Sequence, residues 1–128
     1  MPSDTALTSV GQIALVVTDI GETERFYGDV LGLTHLYTFG ELTFFACGDT
    51  RLFLRAVPTA EWVAGSLVYL RVVDTRTAYE RLSADGVTFA EGPHVIHTHD
   101  DGTVEWMAFF HDPAGNMLAV MSQERPVS

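Results

Sequence analysis

The chain carries one short unit twice. Leu15-Val16-Val17-Thr18-Asp19 is echoed by Leu70-Arg71-Val72-Val73-Asp74, with the two aspartates 55 positions apart. Gly32-Leu33-Thr34 is echoed by Gly86-Val87-Thr88 at a spacing of 54. Self-similarity at a fixed spacing marks two copies of one supersecondary unit that bury apolar surface together. A fold for this sequence must accommodate both copies, which removes most alternatives.

Each copy can be read along its length. Gln12–Val17 is a short apolar run rich in β-branched residues and reads as a strand. Asp19 follows, with Glu22 three positions on, the spacing of a capping box. Ile20, Phe26, Tyr27, Val30 and Leu31 then share one helical face, and Gly32 stops the helix. Strands are expected over residues 35–39, 42–47 and 51–55. In the second half the order is a strand over 67–73, a helix over 76–85 capped by Asp74, a strand over 87–90, and a hairpin of 95–99 with 104–111. Asp101-Gly102 suits a type I′ turn there. Asp112-Pro113-Ala114-Gly115-Asn116 is a turn, and 117–122 the last strand. Each half thus reads β-α-β-β-β. The fold class is α+β, two such modules forming a curved mixed sheet around a cleft. Module boundaries fall at 10–57 and 66–123, with a connector over 58–65 and loose ends over 1–9 and 124–128.

Composition narrows the chemistry. The net charge is −10, and all seven basic residues are arginine. Without lysine, Schiff-base chemistry on a lysine side chain is impossible. Phosphate backbones would meet a negative field, so no nucleic-acid partner is expected. The same field would attract cations, or simply keep the protein in solution. Residues 1–9 lack the features of a signal peptide, and no apolar run approaches the ~20 residues of a membrane span. Cys47 is the only cysteine, which excludes an internal disulfide and fits the cytoplasm. Cys47 reads as a small core residue, since no base or helix start is evident beside it.

Two longer patterns resemble a known family. D-x-x-E-x-x-x-F-Y-x-D-V-L-G-L, Asp19 through Leu33, is similar to the first-helix signature of the vicinal oxygen chelate superfamily. F-x-D-P-x-G-N, Phe110 through Asn116, resembles the turn before that superfamily's last strand. Its members include glyoxalase I, methylmalonyl-CoA epimerase, extradiol dioxygenases and bleomycin-resistance proteins. The resemblance covers roughly residues 10–123. It implies four metal-ligand positions in the metal-dependent members, here Gln12, Phe53, Val68 (Ser66 in a shifted register) and Ala119. Only Gln12 offers a donor. One neutral amide does not hold a divalent ion against water, so no metal and no cofactor are expected at these positions.

The remaining polar residues leave alternatives open. His94, His97 and His99 crowd into one stretch, and His97 with Glu105 could form a non-standard metal or proton-transfer site. A two-residue turn would set Trp106 opposite His97; a longer one would set Glu105 there. A solvated hairpin tip is the plainer reading for His99, Asp100 and Asp101. His111 beside the Asp-Pro turn reads as structural. The expected ligand-binding set is Gln12, Phe53, Val68, His94, Trp106 and Ala119, an oily cleft with an amide and an imidazole at its edge. Trp62, in the connector, suggests packing across an interface between copies, hence a homodimer. The leading functional expectation is metal-independent binding of a small aromatic or cationic molecule, as in sequestration of a drug or metabolite. The alternatives are a glyoxalase- or epimerase-like lyase or isomerase, with His94, His97 or Glu105 as catalytic groups, and a non-catalytic dimer.

Overall fold

The computed structural model of the chain describes residues 5–127; the expectation of loose ends at residues 1–4 and 128 lies outside the described residues. Two four-stranded sheets carry the fold. The first holds β1 (Gln12–Val17), β2 (Thr34–Phe39), β3 (Leu42–Cys47) and β4 (Thr50–Ala56) in the order β1-β4-β3-β2. The second holds β5 (Val68–Arg71), β6 (Phe89–Thr98), β7 (Val104–His111) and β8 (Met117–Glu124) in the order β5-β8-β7-β6. In each, the first strand runs parallel to the fourth and the other pairs are antiparallel. The repeat read from the sequence is therefore a repeat of topology.

Each module has one helix after its first strand. Helix α1 (Ile20–Glu24) begins where the Asp19 carboxylate accepts from the Glu22 amide at 2.8 Å, half of the expected capping box. It continues as a wider π-helical turn over Arg25–Val30, in which the Leu31 amide reaches the Phe26 carbonyl at 2.8 Å. The extra residue in that turn lets the adjacent Phe26 and Tyr27 both face inward: Tyr27 is fully buried and Phe26 lies edge-on to it. Helix α2 (Thr75–Ala84) starts at Asp74, which accepts from the Arg76 amide at 3.0 Å.

Both helices lie between the two sheets. One core cluster unites Leu15, Leu52 and Leu54 of the first sheet, Tyr27, Leu82 of α2, and Ala108, Phe110, Leu118 and Val120 of the second. The helix-facing sides of both sheets thus share one apolar interior, and their other sides face outward. Polar bonds close the same interface. The Tyr27 hydroxyl donates to the buried Asp112 carboxylate at 2.7 Å. The Val16 carbonyl accepts from Trp62 Nε1 at 2.9 Å and from Asn116 Nδ2 at 2.8 Å. Trp62 therefore packs inside its own chain, tying the connector to β1, and does not provide the interface between copies expected of it. Its ring lies against Gly115, where φ is +110° and an added Cβ would sit 3.2 Å from the indole. Gly115→Ala is expected to lower stability by roughly 1–3 kcal/mol, from backbone strain and crowding together, read by urea denaturation.

Two local expectations change. The pieces expected at 87–90 and 95–99 are one strand, β6, whose pairing with β7 shifts register at Phe89/Glu91, Glu91/His94 and Val95/His97. β6 is an edge strand, where bulges and the missing amide of Pro93 are tolerated. The β6–β7 turn is not type I′, because that turn needs positive φ at two successive residues and only Gly102 has it. Instead the Gly102 amide bonds to the His99 carbonyl, and the Thr103 amide to Asp101 Oδ1. The longer loop sets Glu105 opposite His97.

Candidate functional site on the outward sheet faces

Residues paired across strands share a sheet face. On the outward face of the first sheet, Gln12 pairs with Arg51, Ala14 with Phe53, Phe53 with Phe44 and Phe44 with Tyr37. Four rings there form a ladder. Phe44 stacks on Tyr37 at 4.5 Å between centroids, on Phe53 at 4.9 Å and on Phe39 at 5.9 Å. Phe44 is buried within it, while Tyr37 and Phe39 remain 42 and 57 % exposed. The Arg51 guanidinium carbon stands 5.3 Å from the Phe44 centroid. Its Nε donates to Gln12 Oε1 at 2.7 Å and its Nη1 to the Tyr37 hydroxyl at 3.3 Å.

The outward face of the second sheet carries Tyr69, Phe109 and Ala119 side by side, with Tyr69 edge-on to Phe109. The His94 ring lies 6.1 Å from that of Phe109, and its Nδ1 is 2.8 Å from the Gly92 carbonyl oxygen. Farther along, the Glu105 carboxylate is 2.8 Å from His99 Nε2 and accepts from Gln123 at 2.7 Å; these bonds hold its carboxyl below the usual range. His97 rests edge-on to His99 at 4.6 Å. Asp101, bonded by the Thr103 amide, is likewise lowered. Between the sheets, a groove of about 410 Å³ opens beside β5, lined by Ile13, Cys47, Leu52, Val68, Leu70 and Arg71 among others.

The expected site residues are therefore dispersed. Gln12 and Phe53 share the first outward face. His94, His97, Glu105 and Ala119 share the second, across the core from them. Val68 packs against the core and lines the groove; the outward residue beside Ala119 is Tyr69. Trp106 lies in register with Ser122 on the helix side, under the Arg76 guanidinium at 4.6 Å. Arg51, Tyr37, Phe39 and Phe44 join the site unforeseen. The alternation Arg51-Leu52-Phe53-Leu54-Arg55 was the signal, since it puts both arginines on the face of Phe53.

A divalent metal does not fit the positions the sequence pattern designates. The Gln12 oxygen is already held by a guanidinium, whose charge repels a cation. Phe53 and Ala119 are hydrocarbon. Among the described residues, no group of three or more His, Cys, Asp or Glu side chains could hold a metal ion.

Two mixed sheets of β-α-β-β-β order, tied together by the Asp-Pro turn, meet a direct comparison. Residues 9–120 match the Glyoxalase/Bleomycin resistance protein/Dioxygenase superfamily. The chain belongs to that superfamily. The structure is similar to that of a protein from the mobile metagenome of V. Pseudocholerae, at 25% identity over 92% of this chain and 96% of that one, with a TM-score of 0.73. It is similar in fold to lactoylglutathione lyase from Agrobacterium tumefaciens, at 24% identity over 91 and 95% of the two chains, TM-score 0.71. A glyoxalase/bleomycin resistance protein/dioxygenase from Alicyclobacillus acidocaldarius matches at 16% identity over 89 and 90%, TM-score 0.70. Superfamily members share a scaffold more than a reaction, so the activity of this one is argued from its own side chains. No helix among the described residues is long and apolar enough to cross a membrane.

Proposed function

We propose that this glyoxalase/bleomycin-resistance superfamily member binds a small planar aromatic molecule without a metal, in the cytoplasm, and works as a homodimer. The observation that carries the reading is the four-ring ladder on the first outward face, with Gln12 engaged by Arg51 where a metal-binding relative would need a free donor. Parallel exposed rings gain affinity by extending their stack over a flat ligand. Within one chain the two outward faces point away from each other, so a cleft walled on both sides requires a second copy. The aromatic and methionine side chains of the second face, Tyr69, Phe109, Met107 and Met121, would supply its other wall. Sequestration of a drug or metabolite, as in antibiotic resistance, is the role this chemistry suits.

Trp62 and Trp106 both lie off these faces, so calorimetry and thermal shift, not tryptophan quenching, are the readouts. Metal-free protein is expected to show no stabilisation by Zn²⁺, Ni²⁺, Mn²⁺ or Fe²⁺. Planar aromatic compounds are expected to stabilise it by about 2.7 kcal/mol at a hundredfold excess over Kd. Stabilisation by one ion, abolished in Gln12→Ala, would replace this reading with a lyase or isomerase of glyoxalase type. Light scattering that returns a monomer would remove the dimeric cleft.

A further inference from the structure

The aromatic-binding reading leaves the ligand's charge open, and the overall charge of −10 argues for a cation. The local arrangement argues the opposite. Arg76 and Arg81 are ion-paired, to Asp74, Glu124 and Asp85. Arg51 and Arg55 have no carboxylate partner among the described residues, and both stand on the outward face of the first sheet. In a strongly acidic protein, two unpaired arginines flanking Phe53 set a local positive field on the ring-lined face; Arg71, likewise without an ion pair among the described residues, stands on the outward face of the second sheet with Tyr69.

Arg51 is also held in a definite pose. A guanidinium has five N–H donors in a planar fork. Gln12 takes the Nε proton and Tyr37 one Nη1 proton. Three N–H donors, one on Nη1 and two on Nη2, are left for a carboxylate, which a planar fork can grip bidentately. Both restraining residues accept from the arginine without neutralising it, so the positive charge stays available. The same side chain stands over Phe44, at the middle of the ladder. A fixed cationic fork beside stacked rings is complementary to a flat ring bearing a carboxylate.

Resting on the proposed function, we infer that the ligand is a planar aromatic carboxylate, its carboxylate gripped end-on by Arg51 and its ring laid against Tyr37 and Phe39. Gln12 is a positioning residue: it fixes the fork and does not contact the ligand.

The test uses three probes with one ring system: 2-naphthoate, its neutral amide, and the corresponding naphthylmethylammonium. Binding to the full chain is measured by calorimetry. The carboxylate is expected to bind roughly tenfold or more tighter than the amide, and the cation weakest. Arg51→Met should erase the preference for the carboxylate over the amide. Gln12→Ala should weaken the carboxylate selectively and less severely. Raising salt should reduce carboxylate binding alone. Arg51 is exposed, so these variants are expected to unfold as the parent does. Equal binding of all three probes, or tightest binding of the cation, overturns the inference while the aromatic site stands. A carboxylate preference that persists in Arg51→Met assigns the anion elsewhere and also overturns it. Failure of every probe to bind overturns both the inference and the aromatic reading.

Discussion

Asp112→Ala is expected to destabilise the protein by about 3–5 kcal/mol, because it strands buried donors at roughly 1–3 kcal/mol each. Asp112 is 4% exposed, and its carboxylate accepts from the Tyr27 hydroxyl, the Gly115 amide, and both the amide and the side chain of Asn116. A methyl group leaves the Tyr27 hydroxyl and the Asn116 backbone amide without an acceptor, while the Gly115 amide keeps the Asp112 carbonyl and the Asn116 side chain the Val16 carbonyl. The loss falls on the seam between the modules, because Tyr27 comes from the first and the Asp-Pro turn from the second. Urea denaturation monitored by circular dichroism gives the number. A change within ~0.5 kcal/mol, the size of an ordinary surface substitution, would show that water replaces the carboxylate at no cost.

Alkaline solution should unfold the protein through the same pair. Burial first, and then the charge and hydrogen bond of Asp112, raise the Tyr27 phenol well above its ordinary value. In the unfolded chain Tyr27 ionises near pH 10; in the folded protein it keeps its proton. Above pH 10 the unfolded state therefore binds fewer protons, and stability falls as pH rises. The expected slope is about 1.4 kcal/mol per pH unit, while below pH 10 this contribution is flat. Tyr27→Phe removes the titration. It should lower stability by about 1–3 kcal/mol at neutral pH, for the stranded carboxylate, yet flatten the alkaline limb. Denaturation series at pH 8 through 11.5 on both proteins separate the two effects. Parallel alkaline limbs would exclude Tyr27 as their source.

The elements most legible in the sequence were those fixed by local chemistry. Asp19 and Asp74 cap helices because a carboxylate satisfies amides that the helix leaves free, and both caps form. The apolar alternation of Leu15 and Val17, or of Leu52 and Leu54, identifies a buried face without naming what covers it. Nothing local says that the covering layer is shared, with the helices of both modules between the sheets. The strands expected over 87–90 and 95–99 leave out Gly92-Pro93, and nothing local reveals the edge position of β6 that lets proline stay within one strand. Val68 and Tyr69 differ by one position, and a one-residue offset reverses the face. Arg51 is not legible as a site residue, because a charged residue on a strand reads as solvated surface unless its neighbours are known. Its bonds to Gln12 and Tyr37 join residues 39 and 14 positions away.

The Val16 carbonyl, with its two donors, has a consequence for how the chain assembles. Its bond to Asn116 spans 100 positions, and its bond to Trp62 spans 46. Hairpins such as β2–β3 and β6–β7 can zip early, since their ends are near in the chain. The parallel edge of β1 is completed only when the far turn arrives, and closing so large a loop is slow. The twin halves are thus alike in architecture but not autonomous: the first strand of one waits on the last corner of the other.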